Sequence, residues 1–505
     1  MQGSPPFSAS HEPRRRDMTT ASTPICVIGA GTMGRGIAQV ALAAGHPVSL
    51  VDPQQAQLEA AATELAARLA KRHPEVAANL DAQLGTYAAI DQAPNHPDTV
   101  VIEAVLESLE VKASVFAAAA KHFGDRCILA TNTSSLSVTE IAARSPLPDR
   151  VVGLHFFNPV PVMKLVEVVT GLQTDPQVTD RIDELAVTWG KQVARVKNAP
   201  GFIVNRVARG FYGEALRVLQ EQAASPATLD AALRGAGQFR MGPFELMDLI
   251  GNDVNAAVTR SVWTAFNFDP RFEPSRIQDE LVSAGRYGRK RGHGFYSYAE
   301  DAAPPSPALV SPGDLPGTVG LRGQCGQLKA IISRADIAAE PLNGDGTELV
   351  LDEAIVMVTR GLTAHAESAA RGGAPVVVID RWISAENATG LAVAASHPEA
   401  LSTVAALLDR AGIHAYPVDD VPGLIAARTL AVIANEAWET TLHGVATADD
   451  IDVAMRLGTN YPAGPFEWTA AWGTGAVVGI LDRLWETYHD TRYRTSRALR
   501  DAAVV

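Results

Sequence analysis

The chain has 505 residues, which at roughly 150 residues per domain implies about three or four domains and excludes a single small binding module. Hydrophobic residues make up 47% and charged residues 20%, enough buryable surface to exclude wholesale disorder. With 43 Lys+Arg against 56 Asp+Glu the net charge is −13, a field that repels phosphodiester backbones and anionic lipid, so neither nucleic acid nor membrane is expected as a partner.

Residues 1–22 are polar and rich in Pro and Ser and read as a flexible tail. After Arg14, Arg15 and Arg16 comes Asp17 rather than the apolar stretch a secretory signal needs. No uninterrupted apolar run of about 20 residues follows, so no membrane span is expected. The three cysteines, Cys26, Cys127 and Cys325, are far apart and odd in number. They make neither a disulfide framework nor a metal cluster and fit a reducing cytoplasm, with no metal site expected.

From Thr23 the chain reads TPICVIGAGTMGRGIAQVALAAGHPVSLVD: a β-branched run, a glycine turn, a helix-period stretch, then a second apolar run ending at Asp52. This is a βαβ unit shaped for a dinucleotide. Gly29, Gly31 and Gly34 provide the tight turn, the close approach to a pyrophosphate and the close helix packing. Thr32 and Met33 open a helix whose free N–H groups face the phosphates. Asp52 stands 52 − 29 = 23 residues after the first glycine, where a carboxylate accepts from the ribose hydroxyls of NAD and repels the 2′-phosphate of NADP.

Further buried strands are expected at VVIEAV (100–105), CILATN (127–132) and VVGLHFF (151–157), separated by Ala-rich helical lengths. The fold class is α/β, a doubly wound parallel sheet with its crevice at the strand C-termini. Glu107, Asn132, Ser134, His155 and Asn158 cluster at those ends. Pro159 and Pro161 break the strand after His155 and let the chain double back, bringing Glu167 to the imidazole. A His–Glu pair beside a nicotinamide suits oxidation of a secondary alcohol: the imidazole takes the hydroxyl proton, and the carboxylate orients the ring and stabilises the imidazolium.

TNTSSLSVTEIA (131–142), GLHFFNPVPVMKLVEVV (153–169), PGFIVNRV (200–207), MGPFELMDLIG (241–251) and GRKRGHGFYSY (288–298) resemble the successive signature blocks of the L-3-hydroxyacyl-CoA dehydrogenases. The resemblance implies a Rossmann domain followed by an all-helical domain, NAD as cofactor, an acyl-CoA substrate and His155 with Glu167 as the catalytic dyad. Ser134 and Asn205 match the family's substrate-oxygen and dyad-supporting positions. Glu107, Lys112, Asn158 and Lys290 fall where the family contacts the nicotinamide half of NAD or closes over it, and Asn132 sits beside them. Arg68, Lys71 and Arg72, on the helical stretch after Asp52, suit the phosphates of CoA or form a solvated basic face.

The second half repeats part of the first. PGFIVNRVARGFYGEAL at 200 matches PGLIAARTLAVIANEAW at 422, and GPFE recurs at 242 and 464, each pair 222 apart. Glu214 and Glu436, and Asp230 and Asp452, keep the same offset, whereas Asn205 becomes Ala427. The expected division is a tail (1–22), a NAD-binding domain (23–199), a helical domain (200–300), a Pro-rich linker (301–317), a degenerate α/β domain lacking a glycine fingerprint (318–415) and a second helical domain (416–505). Because the helical domain dimerises in short members of the family, the two copies are expected to pack about a pseudo-twofold axis, with pairing into a homodimer left open.

This layout is similar to the long, two-repeat branch of that family that acts on 3-hydroxyadipyl-CoA in aerobic phenylacetate degradation. The resemblance implies oxidation of (3S)-3-hydroxyadipyl-CoA to 3-oxoadipyl-CoA. A general or short-chain 3-hydroxyacyl-CoA dehydrogenase, for instance on 3-hydroxybutyryl-CoA, stays open, as does a NAD-binding sensor without turnover.

Overall fold

The computed structural model describes residues 23–504 apart from 325, 345 and 385; the N-terminal tail and Cys325 lie outside the described residues. β1 (Ile25–Ile28), β2 (Val48–Val51), β3 (Leu84–Tyr87), β4 (Val100–Glu103), β5 (Ile128–Thr131), β6 (Val151–Phe156), β7 (Leu165–Thr170) and β8 (Gln192–Lys197) form one sheet in the order 3-2-1-4-5-6-7-8. β1, β4, β5 and β6 are buried along their whole length, as expected of a sheet covered by helices on both faces. The strand order reverses between β1 and β4, which opens a crevice at their C-terminal ends. The sheet is not parallel throughout: β7 runs antiparallel to β6, because the chain after Phe156 turns back through Pro159 and Pro161.

The first helical unit comprises Val204–Val207, Arg209–Gln220, Pro226–Gly237, Pro243–Ile250, Asn252–Ala265 and Arg276–Ser283. Residues 301–317 hold no regular element but are tied down: the Ala308 amide donates to Thr228 Oγ1, Val310 to the Ala415 carbonyl and Gly313 to the Ser402 carbonyl. A second sheet follows, built from β9 (Thr318–Arg322), β10 (Ala338–Leu342), β11 (Glu348–Leu351), β12 (Ala354–Val358), β13 (Val376–Ile379), β14 (Gly390–Ala395) and β15 (His414–Pro417) in the order 10-9-11-12-13-14-15. The second helical unit is Ala426–Leu442, Ala448–Thr459, Pro465–Trp472, Thr474–Tyr488 and Arg497–Ala502.

The sequence repeat is also a backbone repeat. Positive φ occurs at Gly201 (72°), Phe202 (50°), Gln238 (59°) and Asn267 (54°), and 222 residues later at Gly423 (75°), Leu424 (52°), Asn460 (56°) and His489 (50°). A left-handed Phe or Leu costs roughly 1–2 kcal/mol, so its return at equivalent positions marks a turn with a purpose. Helix caps recur too. Ser225 Oγ accepts from the Thr228 amide, and Thr447 Oγ1 from the Asp450 amide. Asp230 accepts from the amides of Phe244 and Glu245, and Asp452 from those of Phe466 and Glu467.

The two units meet along Arg209–Gln220 and Ala426–Leu442. A Cβ on Gly210 would stand 2.9 Å from the Ile433 side chain, so the small residue sets how closely the helices approach. Two crossed ion pairs flank this contact: Arg206 to Glu436 at 2.5 Å and Arg428 to Glu214 at 2.7 Å. They exchange under the repeat, since 206 + 222 = 428 and 214 + 222 = 436. Each carboxylate meets a second arginine, Arg271 at 2.9 Å from Glu436 and Arg492 at 3.8 Å from Glu214. The docking is reciprocal. The Lys197 amide at the edge of the first sheet donates to Val445, while the Thr389 and Ile383 amides beside the second sheet donate to Gly235 and Ala236 of the first helical unit.

Both Arg428 and Glu214 are fully buried, so removing one leaves the other with only its weaker partner, Arg492 for Glu214 or Glu221 for Arg428. Arg428→Met should lower unfolding free energy by about 3–5 kcal/mol in urea titrations. Arg428→Met combined with Glu214→Leu should recover part of that loss, because the buried pair is removed together while Arg492 and Glu221 each lose one partner.

Candidate active site

Antiparallel pairing of β6 and β7 sets His155 directly opposite Glu167. His155 Nδ1 lies 2.6 Å from Glu167 Oε2, and the carboxylate is 0% exposed. Its other oxygen, Oε1, accepts from the amides of Ile203 and Val204, both at 3.0 Å. The left-handed turn at Gly201 and Phe202 aims those amides at the carboxylate, which also profits from the start of a helix. With Nδ1–H donating to Glu167, Nε2 carries the lone pair and is available as a base. The ring is walled by Phe157 and Phe202, at 4.6 and 5.7 Å between centroids. Asn205 follows the two capping amides directly and is half-buried.

At the end of β5, Asn132 Oδ1 accepts from the Phe156 amide at 2.9 Å, tying the strand ends together beside the dyad. The turn after it is organised by Glu107. Its Oε1 accepts from the hydroxyls of Thr133 (2.7 Å) and Ser135 (2.8 Å) and from the amides of Ser134 (3.0 Å) and Ser135 (3.1 Å). Lys112 is 1% exposed, and its Nζ lies 2.8 Å from Glu103 and 3.2 Å from Glu107, so it braces Glu107.

Glu103, which the sequence reading passed over, is fully buried at the end of β4 and also accepts from the Thr131 hydroxyl. An acid inside an otherwise apolar strand was the available signal. Burial raises its pKa and outweighs Lys112. For Glu107 burial works in the same direction, but Lys112 and the donors of the Thr133–Ser135 turn prevail and hold its pKa below the usual range.

The glycine turn fits a dinucleotide. Gly29 has φ 104°, and a Cβ there would stand 2.5 Å from the Ala104 carbonyl oxygen; one on Gly34 would strike the Gly29 carbonyl. At Gly31 a Cβ would meet no described protein atom within 4 Å, and the residue lines the cleft, which leaves its backbone open to a close ligand. The helix Thr32–Ala43 has no side-chain cap at its start, leaving the first-turn amides at Thr32 and Met33 to a phosphate. Asp52 accepts from the Ala30 amide at 2.8 Å and the Gln54 amide at 2.9 Å. It lines a cleft of about 990 Å³ together with Gly29, Gly31, Ile90 and Val105, on the side where a ribose would sit.

Arg68, Lys71 and Arg72 border a smaller cleft of about 300 Å³ against Pro159, Pro161 and Val162. Arg68 is paired with Glu64. Asn158 is exposed on the loop between this cleft and His155. Lys290 pairs with Asp253 at 2.6 Å, within the helical unit. In this structure Lys290 is held against the helix Asn252–Ala265 and remains half-exposed.

The family model for the 3-hydroxyacyl-CoA dehydrogenase NAD binding domain matches residues 24–199, and that for the C-terminal domain matches residues 201–298 and again 423–503. The chain belongs to the 3-hydroxyacyl-CoA dehydrogenase family. A 3-hydroxybutyryl-CoA dehydrogenase reduced Rossmann-fold domain matches residues 356–422. The 3-hydroxyadipyl-CoA dehydrogenase of Escherichia coli K12 is 42% identical over 95% of this chain and 97% of its own. The crystal structure of a 3-hydroxybutyryl-CoA dehydrogenase from E. coli K12 superposes with a TM-score of 0.86 at 40% identity, covering 96% of this chain and 98% of that one. The 3-hydroxybutyryl-CoA dehydrogenase of Clostridioides difficile is 36% identical over 54% of this chain and 99% of its own. The protein is thus an NAD-dependent 3-hydroxyacyl-CoA dehydrogenase of the long form.

The reduced half of this dehydrogenase shows why it lacks a second dyad. Leu165 pairs with Gln192 and Gly390 pairs with His414, and 192 + 222 = 414. By that register Glu167 corresponds to Ala392. Its cross-strand neighbour Asp380, whose amide donates to Ala392, corresponds to His155. Asp380 alone accepts from the amides of Ile425, Ala426 and Ala427, the repeat of the turn that caps Glu167. Burial pushes its carboxyl up to about 6 against those donors. The helix cap survives and the base is gone.

Two outcomes follow. In Glu167→Gln the amide oxygen must serve Ile203 and Val204, so the NH2 group faces His155 and forces the proton onto Nε2. NADH formation should fall on the order of 10³–10⁴-fold in kcat without loss of fold by circular dichroism. Asp52→Ala should raise kcat/KM for NADP relative to NAD by about tenfold or more, read from initial rates with either cofactor.

Proposed function

We propose that this enzyme oxidises (3S)-3-hydroxyadipyl-CoA to 3-oxoadipyl-CoA in the cytoplasm, as a step of phenylacetate degradation. The observation that carries the substrate is the similarity to the E. coli 3-hydroxyadipyl-CoA dehydrogenase, which runs through both helical units and the reduced sheet. When bound, NAD supplies the hydride acceptor. His155 Nε2 takes the proton of the C3 hydroxyl, and Glu167 holds the ring and balances the imidazolium charge. Positioned proton transfer of this kind contributes on the order of 10²–10⁴ in rate. Ser134, on the turn that Glu107 organises, suits the substrate oxygen, and Asn205 suits support of the dyad.

Arg68, Lys71 and Arg72 suit the CoA phosphates, since their cleft adjoins the Asn158 loop. The paired helical units act as an intrachain pseudo-dimer, a reading supported by crossed ion pairs that obey the repeat. 3-Hydroxybutyryl-CoA is the second reading, favoured by the similarity to the E. coli 3-hydroxybutyryl-CoA dehydrogenase whose crystal structure superposes with a TM-score of 0.86.

NADH absorbance with (3S)-3-hydroxyadipyl-CoA and (3S)-3-hydroxybutyryl-CoA at equal concentration, wild type beside His155→Gln, tests the reading. The adipyl substrate should show the higher kcat/KM, and His155→Gln should lower turnover by at least about 100-fold. Equal or better use of the butyryl substrate would move the enzyme to general acyl-CoA metabolism.

A further inference from the structure

The second helical unit reaches the surroundings of the dyad through one helix. Ala448–Thr459 lies along β7 and β8. Just before it the Val445 carbonyl accepts from the Lys197 amide at 2.8 Å, and in its first turn Asp450 Oδ1 accepts from the Arg195 amide at 3.2 Å. Near its other end stands Gly458. A Cβ there would fall 2.7 Å from Leu165 Cδ2, 2.9 Å from Val204 Cγ2 and 3.6 Å from Phe157 Cε1. Each of these three neighbours bears on the dyad. Leu165 precedes Glu167 by two residues on β7 and so shares its face of the strand. Val204 supplies one of the two amides that hold Glu167 Oε1, and the Phe157 ring stands 4.6 Å from the imidazole of His155.

Glycine is a poor choice within a helix, because it loses more conformational freedom on folding than alanine does. Gly458 has no left-handed φ, so the backbone does not ask for it either. The reciprocal contact shows what it is for. By the register that aligns Glu167 with Ala392, Leu165 corresponds to Gly390, and Ala236 precedes Gly458 by 222 residues. There the first helical unit comes so close to the second sheet that a Cβ on Gly235 would fall 2.5 Å from the Gly390 carbonyl oxygen. Where the strand carries no side chain, the helix carries an alanine; where the strand carries Leu165, the helix carries a glycine. Interiors are packed too densely for both sides of such a contact to be large.

We propose that Gly458 is a positioning residue for the reaction: its missing side chain lets the second helical unit seat Leu165, Val204 and Phe157, and through them the His155–Glu167 pair. Turnover in the first half is thus set in part by a contact with the second. This rests on the dyad reading. A close-packed contact passes on a shift of a few tenths of an ångström instead of absorbing it, and groups that transfer a proton tolerate little misplacement.

The test uses the full-length enzyme and whichever of the adipyl and butyryl substrates the wild type prefers. Gly458→Ala should lower kcat on the order of 10–100-fold while KM for NAD stays within about twofold. Adding Val204→Ala, which removes the overlapping Cγ2, should bring kcat back to within a few-fold of Val204→Ala alone. Gly210→Ala is the comparison: its Cβ would overlap Ile433 at 2.9 Å, not a neighbour of the dyad. It should lower the melting temperature and leave kcat near wild type. If Gly458→Ala does not fold, Leu165→Ala, which empties the same contact from the strand side, should show the same fall in kcat at constant KM for NAD. Wild-type kcat in the folded variant, or a loss in Gly210→Ala as large as in Gly458→Ala, would overturn the role of Gly458 and leave the dyad standing. Full turnover by His155→Gln would overturn the dyad reading, and this proposal with it.

Discussion

One carboxylate holds this enzyme's chemistry and architecture together. Glu167 lies in the middle of a buried strand, where a charge survives only if its oxygens are satisfied. One oxygen holds His155 and the other is held by two amides at the start of the helical unit. The hydrogen bond that orients the imidazole and the hydrogen bonds that seat one domain on the next therefore belong to the same group. Nothing can shift at that junction without being felt at the imidazole.

The same economy appears on the opposite wall of the crevice. Glu103, Lys112 and Glu107 form a chain of alternating charge running from the end of β4 to the turn that carries Ser134. Lys112 is buried and helps fix the position of Glu107 and so of the backbone around Ser134. Buried charges of this kind bring little net stability. Their value here lies in holding polar loop atoms at defined places beside the crevice.

Much of this was legible in the residues. The glycine turn, the acid at Asp52, the strand ending in His155 and the prolines after it led to the crevice and to the dyad, because each is a local signal. The repeat offset of 222 led to the duplicated helices. What escaped depends on partners far away in sequence. β3 and β8, reading LGTY and QVARVK, are short edge strands whose pairing rather than their composition makes them strands. Glu103 and Asp380 each end an apolar run, VVIE and VVVID, and look alike as sequence. Only the register tells that one pairs with a lysine and the other replaces a histidine. Lys112 and Lys290 each have an acidic partner that no local signal announced, Glu103 for one and Asp253 for the other.

The crossed pairs Arg206–Glu436 and Arg428–Glu214 have a consequence for how such a molecule can change. In an assembly of identical subunits every substitution at the interface is made on both sides at once, and a loss at one active site is a loss at the other. Here the two halves of the symmetry are separate codons. Glu214 already keeps company with Tyr493, and Glu436 with Arg271 and Arg206. One side keeps only a helix cap, at Asp380, where the other has the His155–Glu167 pair, so both surfaces of the contact answer to a single dyad.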